Sequence, residues 1–103
     1  MKLELSLLET FGSHLADGSE ALNYRVAQID PYVSISDQIV LDFSGIRNAN
    51  SSFINALVAG LISQHGTSIM EILSFKGCNP LIKILVGAAV DLAFQKEGRE
   101  LPA

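Results

Sequence analysis

The chain contains little of what several classes of protein require. It has one cysteine among 103 residues, so no disulfide can form within it, as expected for a reducing compartment. Its seven lysines and arginines are scattered and the formal net charge is −4, which argues against nucleic-acid binding. The longest apolar stretch, 81–94, is broken by Lys83 and Asp91. It falls short of the roughly 20 apolar residues of a membrane span, so we expect no membrane insertion.

Apolar side chains are what the chain has in quantity. Hydrophobic residues make up 49% of it and charged residues 17%, which excludes a disordered chain. The length fits a single domain, residues 1–103, with a core of its own. The N-terminal segment carries Glu4 and Glu9 in its apolar run and lacks a secretory cleavage site. We therefore expect a cytoplasmic domain whose surplus apolar surface is covered by a partner or by a second copy.

Hydrophobic periodicity predicts strands and helices in the order β-α-β-α-β-α. Strands are predicted at 2–7, 39–43 and 69–75, the second covered on both faces because four of its five residues are apolar. This order is typical of an α/β domain whose later strands are parallel.

Capping residues mark the beginnings of the three predicted helices. Asp17 begins the first, which Asp30-Pro31 ends or kinks; the second runs from Ser51 to about His65. The third begins at Asn79-Pro80 and is followed by a loose tail after Gly98. The rows assigned to the core are Leu22, Val26 and Ile29; Phe53, Leu57 and Leu61 with Ile54, Val58 and Ile62; and Leu81, Leu85, Ala88 or Ala89, and Leu92.

The residue patterns of enzymes and metal sites are missing from the sequence. His14 and His65 have no cysteine or carboxylate at ligand spacing, and no phosphate-binding glycine loop is present. Asp42 is interpreted as a turn-forming carboxylate and Cys78 as a small apolar side chain beside a helix start. We expect no enzymatic activity, no cofactor and no metal ion.

A polar run, Arg47-Asn48-Ala49-Asn50-Ser51-Ser52, separates the apolar strand at 39–43 from the second helix. One of its last three residues can be the helix N-cap, worth about 1 kcal/mol. A phosphate on Ser51 or Ser52 is also compatible with the fold, since a helix N-terminus favours negative charge by roughly 0.3–1 kcal/mol. Phe53, which follows, can pack into the core or be exposed as an anchor for a partner.

The stretch "IVLDFSGIRNANSSFINAL", residues 39–57, resembles the STAS domain (sulfate transporter and anti-sigma factor antagonist). Residues 41–46 match the end of its strand, and Ser51 falls on the serine that is phosphorylated in regulatory members. Asn50 stands where that family has Asp, and Phe53 where it has Gly. These departures, with "FKGCNPLIKILVGAAV" at 75–90, make the chain similar to the divergent bacterial STAS-like domain family of undefined function.

This resemblance implies a single mixed sheet of four to five strands flanked by helices, without enzymatic activity. It also implies regulated binding of a protein, with a GHKL-type ATPase that is also a serine kinase as the expected partner. Ser51 and Ser52 are then the phosphorylation candidates, and the partner-binding residues are Arg47, Asn48, Asn50, Ser51, Ser52 and Phe53. Two alternatives stay open: a nucleotide- or anion-binding domain at the same helix start, and a structural homo-oligomer.

Overall fold

Five short strands, all paired in parallel, form two separate sheets in a computed structural model that describes residues 1–100, with side chains to residue 96. The main sheet has the order β1-β3-β5, where β1 is Lys2–Ser6, β3 is Gln38–Asp42 and β5 is Leu73–Lys76. The second sheet pairs β2 (His14–Leu15) with β4 (Asn48–Ala49).

The observed strands correct the expectation of one mixed sheet. The count of five is within the predicted range, but the strands divide three and two, and no antiparallel pair occurs in the part of the chain described. The division arises because the chain leaves the main sheet after β1 to form a short helix, α1 (Leu7–Phe11), capped by Ser6. The periodicity did not reveal α1, β2 or β4, since each is only two to five residues long.

The first long helix, α2 (Gly18–Gln28), begins at Asp17 as predicted but buries a different face. Of the row assigned to the core, Ile29 is buried as predicted, but Leu22 and Val26 are 44% and 53% exposed and Ala21 is buried instead. The side of α2 that carries Gly18 and Ala21 faces the next helix along the chain, because small residues allow the two backbones to approach closely. A Cβ on Gly18 would lie only 3.0 Å from the backbone oxygen of Ser52 in that helix. The chain then forms a 3₁₀ helix, Asp30–Ile35.

The second helix is continuous over residues 51–65 and is called here the central helix. It consists of α3 (Ser51–Ile54), a π-helical turn (Asn55–Ala59) and α4 (Gly60–His65). Both of its predicted core rows are confirmed, each of the six side chains being at most 1% exposed.

The central helix ends at His65, as predicted, and Gly66 follows it at a φ of +86°, with its N–H donating to the carbonyl oxygen of Ile62 over 2.8 Å. A 3₁₀ helix, Thr67–Glu71, follows, so the prediction of a strand from residue 69 is wrong for its first half. Ile69 is buried there, and an apolar run of this length does not by itself distinguish the two structures.

The last helix, α5 (Pro80–Glu100), begins at the predicted cap, with the side-chain oxygen of Asn79 accepting from the Ile82 N–H over 2.8 Å. Its predicted core row is confirmed only in part: Ala89 is buried and Leu85 half-buried, but Leu81 and Leu92 are exposed. The residues that face the core are Ile82, Val86, Ala89 and Ala93. The helix passes Gly98, where a loose tail was predicted to begin, and residues 101–103 of that tail lie outside the described part.

The helices lie on one face of the main sheet. Both crossovers advance in the same direction across β1-β3-β5, and right-handed connections then place their helices on the same side. The register assigns to the other face Lys2, Glu4, Ser6, Gln38, Val40, Asp42, Ser74 and Lys76. Glu4 bridges Lys2 and Lys76 there, at 3.5 Å from each ammonium. Val40 is nonetheless only 6% exposed, so the apolar residues Ile39–Leu41 are buried on both faces of β3, as predicted for this strand.

Candidate functional site

The polar run lies where two parallel helices, α2 and the central helix, begin side by side. The β2–β4 pairing aligns His14 with Asn48 and thereby brings the segments that precede the two helices together. The N–H of Asn50 continues this alignment by donating to the carbonyl oxygen of Leu15 over 2.7 Å. A small parallel sheet thus fixes the relative position of both helix starts.

Asn50 occupies the N-cap position of the central helix, but its side chain makes no capping hydrogen bond. Its amide nitrogen instead donates to the carbonyl oxygen of Ala16, over 2.9 Å, just before α2. An aspartate at this position would place a carboxylate oxygen against that carbonyl oxygen. The asparagine that departs from the STAS motif therefore ties one helix start to the other.

Ser51 and Ser52 are both exposed, and neither hydroxyl has a hydrogen-bond partner within the described residues. Ser52 lies against the beginning of α2, because a Cβ on Gly18 would meet its Cβ at 3.5 Å. Ser51 precedes Ser52 by one position and is the first residue of the central helix. Both hydroxyls are thus exposed, and neither contributes a hydrogen bond to the described part of the fold.

The carboxylate of Asp17 caps α2, the helix against whose first residue Ser52 packs. The hydroxyl and the N–H of Ser19 donate to it over 2.7 and 2.9 Å, which lowers the pKa of Asp17 from its ordinary value. Asp17 is therefore ionised at neutral pH and, as the cap of α2, precedes the glycine against which Ser52 packs. Its negative charge offsets part of the positive potential of the two helix starts.

Phe53 does not belong to the exposed surface. Its side chain is 1% exposed and meets the ring of Phe11 edge-on, with 5.0 Å between centroids. Of the two alternatives, packing into the core is the one observed, and the prediction that Phe53 contacts a partner is wrong. The remaining predicted residues are exposed and together form what we call the serine surface: Arg47, Asn48, Asn50, Ser51 and Ser52.

Asn79 supports this surface from the other side. In addition to capping α5, its amide nitrogen donates to the carbonyl oxygens of Ile46 and Arg47, over 3.0 and 3.3 Å. These bonds hold the loop that leads into β4. Sequence reasoning identified the cap and missed the second role, because nothing local in the sequence marks a contact across 32 residues.

The neighbouring turn has the structure that was predicted for it. The N–H of Ser44 donates to the Asp42 carboxylate over 2.9 Å, and the Ser44 side chain with this N–H lowers the pKa of Asp42. Gly77, at a φ of +70°, packs against the same turn, where a Cβ would lie 2.7 Å from the nitrogen of Ser44. The two loops at the carboxyl ends of β3 and β5 are thus fitted to each other.

A second polar cluster lies at the opposite ends of α2 and the central helix. Asp30 accepts from Arg25 over 2.9 Å and contacts Nε2 of His65 at 2.8 Å, one carboxylate oxygen for each. Arg25 is buried and packs against Gly60, so the cluster fastens the helices together. No trio of histidine, cysteine or acidic side chains within residues 1–96 is arranged to hold a metal ion. No helix in the described part of the chain has the length and apolarity needed to cross a membrane.

A parallel α/β domain with helices packed on its sheet fits the fold of a STAS-like domain. The family model described as "STAS-like domain of unknown function (DUF4325)" matches residues 26–83, more than half of the chain. The chain belongs to this family, as the resemblance predicted. The match includes β3, the serine surface, the central helix and β5. Searches of curated proteins and of solved structures each gave no match.

Proposed function

We propose that this protein is a non-catalytic regulatory module that binds a protein partner through the serine surface, and that phosphorylation of Ser51 releases the partner. The observation that carries the proposal is the exposure of two unbonded hydroxyls at the start of a helix that is otherwise buried. Membership of the STAS-like family agrees with a regulatory role without assigning one.

The packing of the central helix supports a switch that leaves the fold unchanged. Six buried side chains in two rows hold this helix in the core, and neither serine hydroxyl contributes to that packing. A phosphate would add about 1.5 to 2 negative charges at neutral pH, at a helix end where negative charge is tolerated. The surface would therefore change its charge while the helix stayed in place.

Ser51 is a better phosphate acceptor than Ser52. Ser52 lies against Gly18, and the residue that precedes Gly18 is Asp17, whose carboxylate is ionised. A phosphate on Ser52 would enter a confined position beside this like charge, which is unfavourable. Ser51 is the first residue of the helix, and the three atoms nearest to a Cβ on Gly18 all belong to Ser52.

The partner that we propose is a GHKL-type ATPase that also acts as the serine kinase, as the STAS resemblance implies. Asp17 argues against the alternative of a free nucleotide or anion held at the same helix start, because such a ligand, unlike a covalently attached phosphate, can leave in response to the like charge of Asp17. Arg47, exposed at the edge of the serine surface, supplies a positive charge for a partner's carboxylate.

Phosphorylation is tested by incubating the protein with ATP and a GHKL-type ATPase from the same genome, followed by intact-mass measurement. We expect a gain of one phosphate in the unmodified sequence and no gain in Ser51→Ala. Ser63→Ala is the matched control, since Ser63 is also exposed on the central helix but lies near its other end. Equal phosphate gain in Ser51→Ala and the unmodified sequence would contradict the assignment of Ser51.

A further inference from the structure

α5 carries a second apolar face in addition to the one that packs on the core. Ile84 and Phe94 are 69% and 44% exposed, and Val90 is half-buried. Ile84 lies three residues before Gly87, Val90 three after it and Phe94 seven after it, so all three share its face of the helix. With Gly87 they follow one another at spacings of three, three and four, as residues on one face of a helix do when that face packs against another helix.

The charges on this face are arranged symmetrically about Gly87. Lys83 precedes it by four residues and Asp91 follows it by four, and both are exposed. Neither side chain forms an ion pair within the described residues. A face with opposite charges at equal distances from its centre is complementary to itself when it is turned end to end.

Gly87 leaves open space at the centre of the face. A Cβ added there would meet nothing within 4 Å, so a second helix could approach the backbone closely. Beside it lies a cavity of about 450 Å³ between α5 and the outer edge of β5. The side chains of Phe75, Cys78, Lys83 and Val86 line this cavity with Gly77 and Gly87.

We propose that a second copy of this chain packs its α5 antiparallel against this face, with the two-fold axis at Gly87. Lys83 of each copy then lies opposite Asp91 of the other, which gives two equivalent ion pairs. Phe94, about 10 Å from the crossing point at 1.5 Å per residue, lies opposite Pro80 of the other copy and beside its cavity. A parallel arrangement is disfavoured because it would place Lys83 against Lys83.

The dimer is tested by sedimentation equilibrium of the complete chain and of two charge-reversed variants. We expect the unmodified protein to dimerise, and Lys83→Glu and Asp91→Lys each to raise the dimer dissociation constant roughly tenfold or more. An equimolar mixture of the two variants should recover the dimer, since both ion pairs are then restored with reversed polarity. Asp91→Lys changes the net charge from −4 to −2, by removing one negative and adding one positive charge, so overall repulsion predicts the opposite result.

Two controls separate this surface from folding and from charge in general. Glu71→Lys makes the same change of charge on an exposed residue outside α5 and should leave dimerisation unchanged. Gly87→Gln should abolish the dimer while raising helix stability, whereas Ala88→Gln, one exposed position further, should not abolish it.

A monomer at all concentrations would overturn the proposal, as would charge-reversed variants that fail to recover a dimer when mixed. Circular dichroism checks that each variant is folded. Lys83 and Asp91 are both exposed, so their replacement is compatible with folding. The interface contains no residue of the serine surface, so this proposal and the proposed function can fail independently.

Discussion

Replacing Asn79 by aspartate and by alanine separates the two hydrogen-bonding roles of one side chain. Its oxygen caps α5 through the Ile82 N–H, worth about 1 kcal/mol. Its amide nitrogen donates to the carbonyl oxygens of Ile46 and Arg47 at 3.0 and 3.3 Å, worth about 0.5–1.5 kcal/mol together because the second bond is long. Alanine removes both roles, so we expect a loss of about 2 kcal/mol. Aspartate keeps the cap, and we expect a loss of about 1 kcal/mol.

Urea unfolding measures these losses, and amide hydrogen exchange locates them. Asn79→Asp should accelerate exchange at the N–H groups of Arg47 and Asn50, which bond to Ser13 and Leu15, because the loop before them loses its support. The amide of Ile82 should remain protected. Asn23→Asp, at an exposed asparagine of α2, is the matched control and should change neither quantity. An Asn79→Asp protein as unstable as Asn79→Ala, with unchanged exchange at Arg47 and Asn50, would refute the division of roles.

Three further predictions concern the packing of the helices and the free thiol. Gly60→Ala should cost about 1–3 kcal/mol in urea unfolding, since its Cβ would lie 2.9 Å from Nε of Arg25; no loss would contradict this contact. Asp30→Ala should cost about 2–4 kcal/mol because it leaves Arg25 without its acceptor; a loss below 1 kcal/mol would show that the cluster does not fasten the helices. Burial raises the pKa of Cys78, so its alkylation rate should rise at more alkaline pH than that of a free thiol. Half-maximal alkylation at or below the pH observed for a free thiol would contradict that shift.

The sequence was informative where local chemistry decides the structure. Asp17, Asn79 and Gly66 each begin or end a helix through bonds to their own neighbours in the chain. The central helix was predicted with both of its buried rows because apolar residues occupy two adjacent stripes. Such a helix has little freedom in how it faces the core.

The buried sides of the outer helices, α2 and α5, could not be predicted in the same way. α2 packs through small residues such as Gly18 and Ala21, and its larger apolar side chains point outward. α5 is apolar on two sides, so periodicity alone does not determine which side meets the core. Close approach of two backbones is a property of a pair of helices, and a pattern within one helix does not contain it.

The candidate site was located by its motif, while its architecture depends on contacts between distant parts of the chain. The exposed serines were predicted from the resemblance at 39–57. The hydrogen bond between Asn50 and Ala16 joins residues 34 positions apart. Those between Asn79 and the loop before β4 join residues 32 and 33 positions apart. Phe53 was uncertain for the same reason, since its burial depends on Phe11 in a helix that the sequence did not reveal.

The most direct test of the regulatory surface is the affinity of the GHKL-type ATPase for Ser51→Glu, measured by calorimetry beside Ser63→Glu and the unmodified chain. We expect Ser51→Glu to weaken binding at least tenfold, about 1.4 kcal/mol, with its thermal unfolding unchanged. Ser63→Glu should bind like the unmodified chain. Equal affinities for all three proteins would mean that the partner docks elsewhere, and would leave the exposed serines without the role assigned to them.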